Sequence, residues 1–282
     1  MTVYNSTGVL KKVLLCPPTY YELVPVNEVA MRHIDAGDKV DHEVVGKEHA
    51  EMADALRSAS VEILWEDPHP EHPAQVFTRD FGTNTKVGPL IGKFRYPQRF
   101  GDEDFAIEVF ECEGIPMVGR VTVGAFEGGD CYYLDDETLV VGIGNRSTPA
   151  GVEKAREILA PHGINVLGVE FLAKWNHLDC IFAILDERLC LTVTEALPDN
   201  FMKMLRDKKF EIIEMTGDDS MRMYPNVVTL GGGRVLSFQQ NVVLNRKLRS
   251  LGIEALDPSM SQSVKNGGGP HCLTFELERE TK

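Results

Sequence analysis

The chain has 282 residues and a mass of 31.4 kDa, a length that favours one large domain or two small ones. Hydrophobic residues make up 43% and charged residues 26%, which is typical of a globular protein with a substantial core. The formal net charge is −14 at pH 7. Because proteins that bind duplex nucleic acid carry a basic surface, this balance argues against nucleic acid as a partner. An acidic surface weakly favours a cationic small substrate, although its commonest meaning is solubility.

The sequence also argues against membrane insertion, secretion and structural zinc. No stretch approaches the ~18 consecutive apolar residues that a membrane helix needs, and the first residues lack the apolar region and cleavage site of a signal peptide. The six cysteines are scattered, and none belongs to a Cys-x-x-Cys pair that would indicate a zinc ribbon. We therefore expect a reduced, cytoplasmic protein without membrane spans or a disulfide framework.

The predicted elements, taken in chain order, follow a repeating plan. The chain opens with a strand over residues 11–16 and an amphipathic helix over about 40–57. Four hairpin segments follow, each opened by one or two polar residues, at residues 79–92, 129–142, 178–193 and 226–238. A helix is predicted over 149–159 and a short strand over 164–167. The last strand is predicted over 273–277, just after Cys272.

This plan predicts the architecture. The units recur at roughly 48 residues, and a period of 20–50 residues is typical of solenoids, propellers and arrays. One unit is divided between the two ends of the chain, and no distinct capping repeat is visible, so a closed ring is favoured over an open solenoid. We expect an α/β fold, a five-bladed pseudo-symmetric α/β propeller, as a single catalytic domain over residues 1–282.

Unusual polar residues recur at one position, the start of the first strand in each unit. In a ring of repeats, equivalent positions converge on the axis, so residues far apart in sequence meet in one central pocket. Carboxylates, a histidine and a cysteine in one pocket are the set that nucleophilic catalysis requires. The candidates that share this position are Asp80, Glu127, Asp130, His177, Asp179 and Cys272.

Each candidate also has a structural interpretation. Asp130 and Asp179 suit turns or helix caps, and the pair His177 and Asp179 suits a structural contact. His271 adjoins Cys272, but adjacent strand residues point to opposite faces, so His177 is the better candidate for the base. It is the recurrence of all these residues at one repeat position that favours the catalytic interpretation.

Four blocks of the sequence resemble the signature motifs of the guanidine-modifying enzymes. This superfamily includes arginine deiminases, dimethylarginine dimethylaminohydrolases, amidinotransferases and agmatine deiminases. Its fold is the five-bladed α/β propeller, in agreement with the repeat count. The blocks occur in family order, as Phe77-Thr78-Arg79-Asp80, Glu127-Gly128-Gly129-Asp130, His177-Leu178-Asp179 and Gly267-Gly268-Gly269-Pro270-His271-Cys272.

The resemblance implies a catalytic role for three residues. Cys272 would attack the guanidinium carbon and form a covalent thiouronium intermediate. His177 would protonate the departing amine and then activate the hydrolytic water, and Glu127 would orient His177. The resemblance implies neither a metal nor an organic cofactor.

The resemblance also implies the residues that hold the substrate. Asp80 and Asp179 would grip the planar guanidinium through charge-assisted hydrogen bonds, and Asp130 is placed with the substrate-binding residues. Arg146 and Arg99 lie where the family places arginines that bind a substrate carboxylate, and Arg146 is the cleaner match. Arg95 is the alternative to Arg99, and a plain surface charge is the structural interpretation of either.

The expected activity is hydrolysis of arginine, or of a close arginine derivative, to a ureido product with loss of ammonia or an amine. Hydrolysis of methylated arginines and transfer of the amidino group are the enzymatic alternatives. The chain is too short for the extra helical domain of the longer arginine deiminases. A ribosome-binding propeller without catalysis is the non-enzymatic alternative, but it would lack the cysteine, histidine and acid set. The only partner expected is a small guanidinium compound, and the sequence leaves a homo-oligomer open.

Overall fold

A computed structural model describes residues 1–280. Its fifteen strands form five separate three-stranded sheets. The strands are β1 Leu10–Leu15, β2 Glu62–Trp65, β3 Gly82–Thr83, β4 Leu90–Ile91, β5 Gly119–Arg120, β6 Cys131–Asp135, β7 Thr138–Ile143, β8 Asn165–Glu170, β9 Phe182–Asp186, β10 Leu189–Val193, β11 Glu211–Met215, β12 Val228–Gly231, β13 Arg234–Leu236, β14 Glu254–Leu256 and β15 Phe275–Arg279. The prediction of a five-unit α/β propeller is confirmed.

Six of the seven helices in the described residues occupy the same place in their unit, between its second and third strands. They are α1 Glu28–Asp35, α2 His42–Ser58, α3 Asp102–Cys112, α4 Pro149–Leu159, α5 Asp199–Asp207, α6 Gly217–Met221 and α7 Val242–Ser250. Apart from α6, each lies between the second and third strands of a sheet, where a parallel pair such as β7 and β8 needs a crossover. The boundary of α4 agrees with the prediction of 149–159, because Thr148 caps Gly151 N and Pro149 takes the first helical position.

The two ends of the chain complete one sheet. Strand β15 pairs antiparallel with β1, with Leu14 opposite Phe275, and β1 pairs parallel with β2. The terminal unit that the sequence divides between the chain ends is therefore one blade, as expected. Within residues 1–280, no helix is long and apolar enough to cross a membrane.

Local turns explain the hairpins. Strands β12 and β13 are joined through glycines 231–233, whose φ angles of +76°, +60° and +75° lie in the left-handed region that favours glycine. The starts of three units differ from the prediction. The residues expected to open a first strand instead form short 3₁₀ turns, Thr78–Phe81, Gly128–Asp130 and Leu178–Cys180. Each turn comes just before the first strand of its sheet. Polar side chains therefore lie at the start of that strand in three units.

Candidate active site

The first group of the site joins an acid, a histidine and an arginine. Glu127 Oε2 lies 3.0 Å from His177 Nε2 and accepts a 2.7 Å hydrogen bond from Arg146 Nη1, and all three side chains are buried. Burial raises the pKa of Glu127, but Arg146 and His177 outweigh it and bring the pKa to about 2. Burial lowers the pKa of His177, but the carboxylates of Asp80 and Glu127 outweigh it and raise the pKa to about 9. At neutral pH the pair is a carboxylate and an imidazolium.

Asp80 has one oxygen bound and one unpaired. Its Oδ2 accepts a 2.9 Å hydrogen bond from Arg99 Nη1. Its Oδ1 is buried, has no hydrogen-bond partner within residues 1–280 and lies 3.8 Å from His177 Nδ1. Arg99 is also buried. Its Nε donates to Asp102 Oδ2, and its guanidinium lies 4.3 Å from the centre of the Phe94 ring. A buried acceptor without a donor is costly, so Asp80 Oδ1 is suited to receive an N–H group from a ligand.

Cys272 follows the glycine segment 267–269 and is fixed by an asparagine. Asn226 Nδ2 donates to Cys272 Sγ over 3.1 Å, and Cys272 N donates to Asn226 Oδ1 over 3.1 Å. The sulfur also lies 3.5 Å from Asp179 Oδ2. Burial, followed by the nearby Asp179 carboxylate, raises the pKa of the Cys272 thiol well above its usual value. The sulfur is therefore a neutral thiol at neutral pH until a positive charge comes close.

Asp179 lies beneath Cys272 and contacts a second histidine. Its Oδ2 accepts a 2.8 Å hydrogen bond from His271 Nδ1, and the His271 ring stacks on Tyr132 with the ring centres 5.0 Å apart. Burial raises the pKa of Asp179, but the hydrogen bond and charge of His271 outweigh it and lower the pKa. The strand-face argument used for His271 does not apply, because residues 271–273 form a turn and not a strand. His271 lines a different cavity from Cys272, so it does not share the pocket of the thiol.

A small cavity of about 10 Å³ lies between the two groups, about the volume that one water molecule needs. The predicted residues that line it are Asp80, Arg99, Arg146, His177 and Cys272. The structure therefore brings the candidate nucleophile, the candidate base and three of the substrate-binding candidates to one place, although they span 193 positions of the sequence.

Asp130 lies elsewhere than expected. Its Oδ1 accepts a 2.8 Å hydrogen bond from Leu178 N and its Oδ2 a 3.1 Å bond from Ser147 N. It does not line the cavity, and burial raises its pKa to about 7. Because both oxygens bind backbone amides next to His177 and Arg146, the geometry of Asp130 is that of a support for these two side chains and not of a substrate contact.

Two asparagines of the site were not singled out by sequence reasoning. Asn226 opens the hairpin segment 226–238 and so occupies the same position in its unit as the candidate acids do in theirs. Its position in the repeat could therefore have identified it. Asn176 Oδ1 accepts a 3.0 Å hydrogen bond from Arg146 Nε. Its backbone φ of +66° is uncommon for a residue other than glycine, and no pattern in the sequence indicates it.

A glycine makes the close packing of the site possible. A Cβ atom at Gly129 would lie 2.8 Å from His177 Cγ and 3.0 Å from Asp80 Oδ1. Any side chain at this position would therefore push the histidine away from its carboxylates. This explains in physical terms why the Glu-Gly-Gly-Asp block places glycine there.

One group of side chains in residues 1–280 could also hold a metal ion. One ligand atom each from Asp80, Glu127 and His177 lie within 4.8 Å of one another. In the structure arginines pair with both carboxylates, and the same three side chains suit general acid–base work.

The ring of five sheets and the pocket of cysteine, histidine and acids define the class of protein. The chain has the five-bladed α/β propeller fold of the guanidine-modifying superfamily, and the match of its residues 21–279 to a family model of that superfamily makes it a member.

Comparison with known families narrows the class. The family model for N,N dimethylarginine dimethylhydrolase, eukaryotic, matches residues 21–279, and the chain belongs to this family. It is a hydrolase that acts on a carbon–nitrogen bond of an amidine or guanidino group.

Two relatives illustrate the sequence similarity. The Bacillus subtilis protein YkgA is 29% identical over 272 residues, which cover 96% of this chain and 93% of YkgA. An arginine deiminase of Listeria monocytogenes is 28% identical over 255 residues, which cover 74% of this chain and 62% of the deiminase.

Solved structures are similar in fold. The N-terminal domain of ArgZ, a cyanobacterial arginine dihydrolase, superposes with a TM-score of 0.84 at 20% identity and covers 95% of this chain and 97% of that domain. A second structure is a cysteine-to-serine mutant of dimethylarginine dimethylaminohydrolase from Pseudomonas aeruginosa, complexed with citrulline. It superposes with a TM-score of 0.79 at 22% identity and covers 95% of this chain and 100% of that chain.

Proposed function

We propose that the protein hydrolyses the guanidinium group of arginine, or of a close arginine derivative, to a ureido product and ammonia or an amine. The observation that carries this proposal is the unpaired Oδ1 of Asp80. It is a buried carboxylate oxygen in a cavity that also contains Cys272 and His177. A planar cation with several N–H donors satisfies such an acceptor through a charge-assisted hydrogen bond.

The thiol supplies the nucleophile. A bound guanidinium places positive charge next to Cys272 and lowers the pKa of its thiol, which burial and Asp179 otherwise hold high. The thiol proton passes to solvent as the cation binds, and the thiolate forms a bond to the guanidinium carbon. The C–N bond then breaks with its electron pair going to nitrogen, and the imidazolium of His177 gives the proton that the leaving nitrogen needs.

The second half-reaction reverses the role of the histidine. His177, now neutral, takes a proton from water, and the resulting hydroxide adds to the thiouronium carbon. The C–S bond breaks and the sulfur keeps its electron pair. The proton of the added hydroxyl passes to the thiolate, which restores the thiol, and the neutral ureido product leaves. Glu127 holds the imidazole in position through both steps, because its Oε2 lies 3.0 Å from Nε2.

Two arginines serve the other end of an amino-acid substrate. Arg99 and Arg146 line the same cavity as the thiol, and a planar guanidinium fork suits a carboxylate. This supports an α-amino acid substrate over a simple guanidine.

The choice between free and methylated arginine depends on the acids around the guanidinium. Asp80 lines the cavity and Asp179 Oδ2 lies 3.5 Å from Cys272 Sγ, and in this proposal both acids accept N–H donors of the guanidinium. Dimethylation removes donors and adds bulk, so we propose that unsubstituted guanidinium is preferred. The match to the dimethylarginine hydrolase model favours the methylated substrate and makes its hydrolysis the second candidate.

One substrate panel tests the function. Arginine, asymmetric dimethylarginine, agmatine and citrulline are incubated with the wild-type protein and the Cys272→Ser variant, and release of ammonia, amine and ureido product is followed. We expect turnover of arginine or dimethylarginine by the wild type only, and an acid-trapped mass adduct on Cys272. An adduct on Cys180 instead would refute the proposal.

A further inference from the structure

The two arginines assigned to the substrate carboxylate are occupied by acids of the site itself. Arg99 Nη1 donates to Asp80 Oδ2 over 2.9 Å, and Arg146 Nη1 donates to Glu127 Oε2 over 2.7 Å. Both guanidinium groups are buried, with side chains 2% exposed. Glu127 Oε2 is also the oxygen that contacts His177, so Arg146 and the histidine share one acceptor.

The cavity has no room for a substrate in this arrangement. Its volume of about 10 Å³ is enough for one water molecule, whereas an arginine side chain is many times larger. Arg99 and Arg146 are the largest fully buried side chains of the chain as far as residue 280. Both also lie over aromatic rings, Arg99 over Phe94 at 4.3 Å and Arg146 over Tyr96 at 5.2 Å, contacts that hold a cation without a hydrogen-bonding acid.

We propose that the α-carboxylate of the substrate exchanges partners with these arginines. As the carboxylate binds Arg146 and Arg99, Arg146 leaves Glu127 and Arg99 leaves Asp80. Both Asp80 oxygens then accept hydrogen bonds from the substrate guanidinium, and Glu127 pairs with His177 alone. This inference rests on the proposed function and extends it, because the carboxylate becomes a requirement for turnover and not only for affinity.

Charge explains why one end of the substrate controls the other. In the structure a buried cation already neutralises each acid. A ligand with a guanidinium and a carboxylate replaces one ion pair by another and leaves the total charge of this part of the site unchanged. A ligand with the guanidinium alone adds a cation that must compete with Arg99 for Asp80. One of the two cations is then left buried without an anionic partner, which is costly.

Agmatine provides the test because it is arginine without the carboxylate. We expect kcat/KM for agmatine to be at least about 100-fold below that for arginine, with a loss in kcat as well as a rise in KM. Acetate or propionate supplied with agmatine should occupy the carboxylate position and raise the kcat for agmatine about tenfold or more. The same salts should leave kcat for arginine unchanged or lower it by competition.

A substitution separates exchange from simple binding. Arg146→Met removes the cation that shares Glu127, so arginine turnover should fall while kcat for agmatine rises several-fold and no longer responds to acetate. If Arg146 only bound the carboxylate, agmatine turnover would not change. Arg120→Met is the matched control, because the 43% exposed Arg120 side chain pairs with the buried Glu103 and the exposed Asp104 and does not line the cavity; both substrates should keep their wild-type kinetics.

The outcomes distinguish the two proposals. If the wild type turns over neither arginine nor its methylated forms, the proposed function fails. If arginine is turned over but acetate leaves agmatine turnover unchanged and Arg146→Met does not increase it, the exchange is refuted while the function stands. The acetate experiment uses the wild-type protein, so it decides the question even if Arg146→Met fails to fold; Arg146→Lys is the second variant.

Discussion

The charge state of His177 is the property of this site that a single substitution tests most directly. Glu127→Gln keeps the size of the side chain but replaces one acceptor oxygen by an N–H donor and removes the negative charge. The structure places this charge 3.0 Å from His177 Nε2, in a buried site. Removing it should lower the pKa of His177, which is about 9 in the wild-type protein.

The size of the change follows from Coulomb's law. Two unit charges about 3 Å apart attract by roughly 5 kcal/mol at an effective dielectric constant of about 20, which corresponds to about four pKa units at 1.36 kcal/mol each. The attraction of Glu127 is shared with Arg146, and Asp80 still faces the imidazole. We therefore expect a fall of about two units, to a pKa of about 7.

The pH dependence of kcat/KM measures this pKa, because it reports ionisation of the free enzyme. Loss of the imidazolium should produce the alkaline limb, near pH 9 in the wild type and near pH 7 in Glu127→Gln. Arg146→Met should move the limb the opposite way, because the positive charge of Arg146 lowers the pKa of His177. An alkaline limb that stays at pH 9 in Glu127→Gln would show that Glu127 does not control the proton of His177.

The same pKa predicts how stability depends on pH. The folded-state pKa of His177, about 9, lies above its ordinary value of 6.5. The ion pair with Glu127 therefore stabilises the fold fully below about pH 6.5, and this stabilisation is lost as the pH rises through 9. Thermal unfolding between these pH values should show a falling Tm, and the fall should be smaller in Glu127→Gln.

Three further predictions concern other residues of the site. Cys272→Ser should abolish turnover with a wild-type Tm, as the substrate panel and thermal unfolding measure; residual turnover would contradict the role of Cys272 as the nucleophile. Gly129→Ala should lower kcat by about 100-fold, because its Cβ would displace His177 from 2.8 Å; an unchanged kcat would contradict the packing described above. Arginine should exceed asymmetric dimethylarginine in kcat/KM by roughly tenfold to several hundredfold, and Asp179→Ala should narrow the gap through loss of arginine turnover; equal values for the wild type would refute the role given to Asp179.

Much of the ring could be predicted from the sequence because its signals are local. Alternating apolar residues and turn glycines define the hairpins, and a threonine cap with proline at the first position defines the start of α4. Closure of the ring was also predictable, since the strands expected at residues 11–16 and 273–277 correspond to Leu10–Leu15 and Phe275–Arg279. The recurrence of polar residues at one repeat position then identified six residues that line the cavity or support its lining.

The geometry within the site could not be predicted in the same way. The 3₁₀ turns at the unit starts differ from strands by a few backbone angles, and this difference invalidated the argument from strand faces that was applied to His271. Asp130 was expected at the substrate because it belongs to a shared motif, but its contacts with two backbone amides become visible only when neighbouring units are packed together. Such contacts join residues from different units, and periodicity carries no information about them.

The buried charges of the site give the reason why its arginines matter beyond substrate affinity. Asp80 pairs with Arg99 at 2.9 Å and Glu127 pairs with Arg146 at 2.7 Å, all within the protein interior. Removing one partner from a buried pair costs about 3–5 kcal/mol. Asp80 and Glu127 therefore need a cationic partner when no substrate is bound. A substrate that brings one charge of each sign can replace these pairs without isolating either partner. In the proposed exchange, the pairing that stabilises the folded protein therefore also selects a ligand with a guanidinium at one end and a carboxylate at the other.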